Sequence, residues 1–117
     1  MLPHTYAFGV AFEHFVINEI VRLQSYYRKD FRLSFLRTRN GLEVDIIIER
    51  PGCPRALVEI KSTEKVTSED VRALAHLAPD ISNSDSFCLS RDTVKKKIDG
   101  VFCLPWFEGL AELGLTE

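Results

Sequence analysis

Two turn signals, Asn40-Gly41 and Pro51-Gly52 followed by Pro54, cut residues 31–62 into three pieces of strand length. Asn-Gly is the strongest short signal for a two-residue hairpin, because both residues tolerate the positive φ that such a turn requires. Pro-Gly punctuates a chain in the same way. In Phe31 to Thr38, Phe31, Leu33 and Phe35 alternate with Arg32, Ser34 and Leu36, while Leu42 to Glu49 and Arg55 to Ser62 are mostly apolar. Strands joined by connections this short pair with their neighbours, so the three pieces predict an antiparallel meander.

Helical periodicity flanks the meander. From about Tyr6 to Arg28, the residues Phe8, Phe12, Phe15, Val16, Ile20 and Leu23 recur at spacings of three and four, the pattern of one buried helix face. Pro3 and Thr5 suit its entry, and Tyr26 and Tyr27 its last turn. Thr67-Ser68-Glu69-Asp70 reads as a capped helix start that continues to about Leu77. Ser86 to Ser90 predicts a fourth strand, Asp92 to Ile98 a short helix carrying Lys95-Lys96-Lys97, and Val101 to Leu104 a fifth strand. Pro105 is expected as the first residue of a last helix through Leu113. The order α-β-β-β-α-β, then a strand and a helix, predicts an α/β fold with one mixed sheet and helices on both faces.

At 117 residues the chain is one domain, 1–117, and its 45% apolar content is enough for a core. A formal net charge of -2 argues against a strongly basic, non-specific nucleic-acid binder, though not against a local basic groove. Cys53, Cys88 and Cys103 are odd in number and form no C-x-x-C. They indicate neither a disulfide framework nor a zinc site, and a reducing cytoplasm is the natural reading. Cys88 and Cys103 lie in short apolar runs and read as small buried hydrophobes. No run reaches the ~18–20 apolar residues of a membrane span, and no signal peptide is evident.

The second and third strand pieces carry charge where burial makes charge costly. Asp45 lies in Glu43-Val44-Asp45-Ile46-Ile47-Ile48, and Glu59 and Lys61 lie in Leu57-Val58-Glu59-Ile60-Lys61. Alternation puts Glu43, Asp45, Ile47 and Glu49 on one face of their strand and Leu57, Glu59 and Lys61 on one face of theirs. Paired strands are ~4.8 Å apart, so both carboxylates reach one cation. Without a counter-charge they repel. Mg²⁺, or Mn²⁺ in its place, takes oxygen ligands and removes the conflict. Lys61, about 6.5–7 Å beyond Glu59, is placed to orient or help deprotonate a water, or to neutralise charge on a phosphate. The Ile60 carbonyl is an extra candidate ligand. Glu13 has Val10, Val16, Ile17 and Ile20 as helical neighbours and Gly9 at i-4, so it faces the packed side of the first helix or its margin. From there it is expected to reach the site from above the sheet. Bland readings stand beside these: E-x-K as an ion pair at a sheet edge, Asp45 paired with Arg37 or Arg39, and Glu13 paired with Lys61.

Glu13, Asp45 and Glu59-Ile60-Lys61, in this element order, resemble the PD-(D/E)XK nuclease superfamily. The proline that often precedes the aspartate is replaced by Val44. Gly9-Val10-Ala11-Phe12-Glu13-His14-Phe15-Val16, Glu43-Val44-Asp45, Val58-Glu59-Ile60-Lys61-Ser62 and Leu104-Pro105-Trp106 also resemble the uncharacterised C-terminal domain that follows the ATPase module of many prokaryotic AAA-type ATPases. The resemblance implies a restriction-endonuclease-like αβββαβ core. It implies catalytic Glu13, Asp45, Glu59 and Lys61, with Mg²⁺ held by Asp45, Glu59, the Ile60 carbonyl and Glu13. It also implies that the chain is either a fragment or a solitary copy of such a domain. Ile60-Lys61-Ser62-Thr63 lacks the glycines of a phosphate-binding loop, so an ATPase partner would lie outside this segment.

Two functions follow as expectations. The first is Mg²⁺-dependent hydrolysis of phosphodiesters, DNA foremost. The second is a non-catalytic interaction module that docks on an AAA-type ATPase or on a second copy of itself as a homodimer. Binding of nucleic acid without turnover is a third. No membrane association is expected. His4, His14 and His76 show no metal-ligand spacing. The Lys95–Lys97 run reads first as a solvated run, but with Arg37, Arg39, Lys65 and Arg91 it could supply a local positive field, and Trp106 and Phe107 read as core or partner contacts rather than base-stacking platforms.

Overall fold

The computed structural model describes residues 2, 5–37 and 43–116, with backbone only at 36, 37 and 43. The Asn40-Gly41 turn, Pro3, His4, Arg39 and the side chain of Arg37 lie outside what is described. Helix α1 (Tyr6–Tyr26) begins where Thr5 Oγ1 accepts the Phe8 N–H at 3.1 Å, the N-cap that Thr5 promised. It buries Val16, Ile20 and Leu23. The meander follows as β1 (Arg32–Arg37), β2 (Glu43–Glu49) and β3 (Arg55–Lys61), with both pairings antiparallel. Helix α2 (Ser68–Leu77) then crosses over to β4 (Ser84–Ser90), which lies parallel to β3. A parallel return requires such a crossover. Strands β5 (Lys96–Ile98) and β6 (Val101–Pro105) and helix α3 (Trp106–Glu112) complete the chain. The sheet runs β1-β2-β3-β4-β6-β5, mixed and covered on both faces, as the α/β expectation had it.

Period-two alternation divides the core. On one face Val16 and Ile20 of α1 and Leu110 of α3 pack on Ile46, Ile48, Val58 and Leu89. On the other, Val71 and Leu74 of α2 pack on Val44, Leu57, Cys88 and Cys103. Each fully buried Leu, Ile or Val contributes about 1.5–3 kcal/mol. Cys88 and Cys103 are buried free thiols, as expected, and Cys53 is exposed.

The short helix expected over 92–98 is not formed. The Asp92 carboxylate instead accepts the N–H groups of Val66 and Val94, both at 2.9 Å, and the Lys96 ammonium at 2.8 Å. Such side-chain capture of nearby backbone competes with a helix. Burial alone would raise the Asp92 carboxyl, but the Lys96 ammonium and the two N–H groups outweigh it and hold it at about 2. Lys96 also donates to the Val66 carbonyl, so it is not part of a solvated run. Residues 96–98 turn back on β6 through Asp99 and Gly100, at φ 50° and 84°. This is an Asp-Gly hairpin whose signal stands in the sequence. Pro105 is the cap before α3 rather than its first residue.

Helix α3 lies close on β4 at Gly109. A Cβ there would stand 2.1 Å from Leu89 Cδ2 and 3.3 Å from Leu89 Cγ. Leu89 is fully buried and has no room to retreat. Gly109→Ala is expected to cost about 1–3 kcal/mol by overpacking. Urea unfolding checks it, as a lowered midpoint at unchanged slope.

Candidate active site

The site begins with an irregularity in β2. Ser34 of β1 opposes Ile47, but Leu36 opposes Val44, so two steps along β1 match three along β2. The extra residue is a bulge at Asp45–Ile46, a device that re-aims a side chain. It explains why Val44 joins the α2 face while Ile46 and Ile48 pack on the α1 face. The simple alternation expected of 43, 45, 47 and 49 breaks here.

Past the bulge, β2 leaves β3. The last paired residues are Ile46 and Val58. The next β3 donor towards β2, the Ile60 N–H, is met by the Asp45 side chain, with Oδ2 accepting at 2.6 Å. In an extended strand the N–H and C=O of one residue point to the same side. The Ile60 carbonyl therefore opens into the same gap as the Asp45 carboxylate.

Glu59 is 8% exposed and lies beside buried Cys88 in the parallel register. Burial first, then the charge of Asp45 and a hydrogen bond between the two carboxyls, push its carboxyl up to about 8. Glu13 on α1 adds to the repulsion, and Lys61 opposes it. The Lys61 ammonium stands 3.7 Å from Glu59 Oε1 and is partly exposed. The fold thus brings Asp45, Glu59 and Lys61 together, with Glu13 near enough to act on Glu59.

The first turns of helix α1 lie against this end of β3: a Cβ at Gly9 would stand 3.6 Å from Ser62 Oγ, an ordinary contact. Arg91, just after β4, donates to the Ser62 carbonyl at 3.4 Å, pairs with Glu64 at 3.1 Å and lies 5.0 Å from the centre of the Phe8 ring. His14, Arg72 and His76 are exposed on their helices. The sequence reading missed the bulge and the placing of Cys88 beside Glu59. Val44, Ile46, Ile47 and Ile48 are all apolar, so the sequence of β2 carries no signal of the bulge.

Residues 8–108 match the family model of a domain of unknown function, DUF4143. The chain belongs to the DUF4143 family. The matched stretch of this DUF4143 domain contains Glu13, Asp45, Glu59 and Lys61. No curated protein and no solved structure matches it.

Among the described residues no three His, Cys, Asp or Glu side chains are already gathered as a metal-holding group, and no helix is long and apolar enough to cross a membrane. The donor set of the DUF4143 site nonetheless has the chemistry of a divalent-cation site. Two carboxyls share one place, a third adds repulsion, and one lysine opposes them. With Glu59 raised to about 8, the cluster holds a proton at neutral pH. A hard cation with oxygen ligands can take that proton's place.

Proposed function

We propose that this DUF4143 domain is a Mg²⁺-dependent phosphodiesterase acting on DNA, with Mn²⁺ able to substitute. The observation that carries the reading is the forced contact of Asp45 and Glu59 beside Lys61, where buried negative charge outweighs positive. Asp45, Glu59 and the Ile60 carbonyl would hold the cation, with Glu13 joining directly or through water. The bound cation supplies a water of lowered pKa and polarises the phosphate. Asp45 does a second job, because its bond to the Ile60 N–H fixes the carboxylate and the strand end together. Lys61 is exposed enough to meet a substrate, and its ammonium orients the attacking water or neutralises charge on the phosphate.

The rival reading is a nuclease-like interaction module that docks on an AAA-type ATPase or on its own copy. The net charge of -2 favours it. Isothermal titration of Mn²⁺ and Mg²⁺ into the wild type and Asp45→Ala separates the two. Binding by the wild type that disappears in the variant is expected. Strong self-association without cation affinity would favour the docking module.

A further inference from the structure

Arg50 directly follows β2, and its side chain is only 9% exposed. A guanidinium carries five N–H donors. Among the described residues this one makes a single hydrogen bond, from Nη2 to the Pro54 carbonyl at 2.7 Å. Its buried Nε–H has no acceptor, and Asp85 Oδ2 stands off at 4.0 Å from Nη2. A buried donor left without a partner calls for an explanation. Arg50 lines a groove of about 360 Å³, at the lower end of the range for small-molecule sites. The groove floor is apolar: the Phe87 and Phe102 rings lie 5.7 Å apart at 32°, with Leu104 beside them. Its walls carry charge of both signs. Lys95 is already paired with Glu108 at 3.2 Å. Glu112, at the end of α3, is exposed and has no partner among the described residues. The groove is separate from the acid cluster. Asp85 lies five residues, roughly 17 Å, along β4 from Ser90 at the Lys61 end, and Phe87 packs on the sheet face opposite that of Cys88, the neighbour of Glu59.

We infer that this groove binds a free α-amino acid with an apolar side chain, held through both of its charged groups. A carboxylate is the partner that a guanidinium edge fits, by two parallel N–H···O bonds, and Nε and Nη2 form one such edge. A simple carboxylic acid would also bring its charge up against Asp85 and Glu112, which repel it. An α-amino acid avoids that conflict, because its ammonium sits one carbon away from its carboxylate. The carboxylate takes Arg50, and the ammonium faces Asp85 and Glu112. The 4.0 Å between Nη2 and Asp85 Oδ2 sets the two protein charges side by side, as the two ligand charges are. The ligand side chain then lies on Phe87, Phe102 and Leu104, where burial of apolar surface favours it.

Isothermal titration of the wild type with L-phenylalanine and L-leucine tests this. N-acetyl-L-phenylalanine lacks the ammonium and L-phenylalaninamide lacks the carboxylate, so they serve as the blocked compounds. Saturable binding of both amino acids at millimolar concentration or below is expected, with each blocked compound about tenfold weaker or worse. Arg50→Gln should abolish binding. It also loses the bond to Pro54, so circular dichroism accompanies it, and a second variant decides if it does not fold. That variant combines Asp85→Asn with Glu112→Gln, neither of which is buried. It should weaken L-phenylalanine about tenfold and leave N-acetyl-L-phenylalanine no weaker than before, because only the ammonium faces these carboxylates. No binding of either amino acid to the wild type would overturn the inference. So would N-acetyl-L-phenylalanine binding as tightly as L-phenylalanine, which would make the groove a site for simple carboxylates or chain ends. Undiminished binding by the double variant would place the amino acid elsewhere and overturn it too.

Discussion

Asp45→Asn should abolish cation-dependent cleavage of DNA while the protein stays folded, and Asp45→Ala should lose cleavage and some stability as well. The difference lies in one hydrogen bond. Asp45 Oδ2 accepts the Ile60 N–H at 2.6 Å, where β2 has already left β3. Alanine leaves that donor unpaired beside a buried residue, which costs about 1–3 kcal/mol. Asparagine keeps a carbonyl oxygen for it and removes only the charge. Losing a charged cation ligand removes several kcal/mol of transition-state stabilisation, which is about 10²–10³-fold or more in rate. Cleavage of a labelled oligonucleotide with Mg²⁺, set beside thermal melts of the three proteins, checks both halves. Undiminished cleavage by Asp45→Asn would sink the hydrolytic reading. An equal loss of stability in both variants would remove the structural role given to the Ile60 bond.

The meander was legible because turn chemistry is local. Pro51-Gly52 needs no knowledge of the rest of the chain to end β2, and Gly52 does take a positive φ of 77°. The spacing of Val16, Ile20 and Leu23 likewise gave the buried face of α1. Glu59 and Lys61 were legible as neighbours because two residues on one strand share a face whatever the fold. Asp45 is a harder case. Its meeting with Glu59 was expected from unbroken alternation, but it depends on a bulge set by the β1 pairing, two residues against three. No pattern within β2 alone encodes that. Asp92 to Ile98 failed for the opposite reason. The segment with its lysine run was read as a short helix, while the long-range bond from Val66 to Asp92 and the Asp99-Gly100 turn made an edge strand instead. Phe107 was read as a core or partner contact; α3 turns Leu110 into the core and leaves Phe107 exposed, which removes the core half of that reading.

Without a divalent cation, the wild type should lose stability as pH rises from about 4.5 to about 8, by a few kcal/mol in all. The cause is Glu59, whose carboxyl is raised from an ordinary 4.5 to about 8, by burial first and by Asp45 second. Between those values the folded chain holds a proton that the unfolded chain has released, so each rise in pH favours unfolding. The stabilisation is complete below about 4.5 and gone above about 8. Asp92 works in the opposite sense at another pH. Held at about 2 against an ordinary 3.8, it supports the fold above about 4 and fails on acidification through that range. The two groups together predict a stability maximum on the acid side of neutrality. Thermal melts in EDTA from pH 3 to 9 measure it, and a wild-type profile flat between pH 5 and 8.5 would contradict it. Glu59→Gln keeps the shape and removes the charge, so it should erase the alkaline slope and melt above the wild type at pH 8.5. Mg²⁺ should do the same to the wild type, because a cation relieves the repulsion that the proton relieves at lower pH. A slope that Glu59→Gln erases and Mg²⁺ leaves untouched would assign the strained carboxyl to the fold alone, and the weight would pass to the docking module.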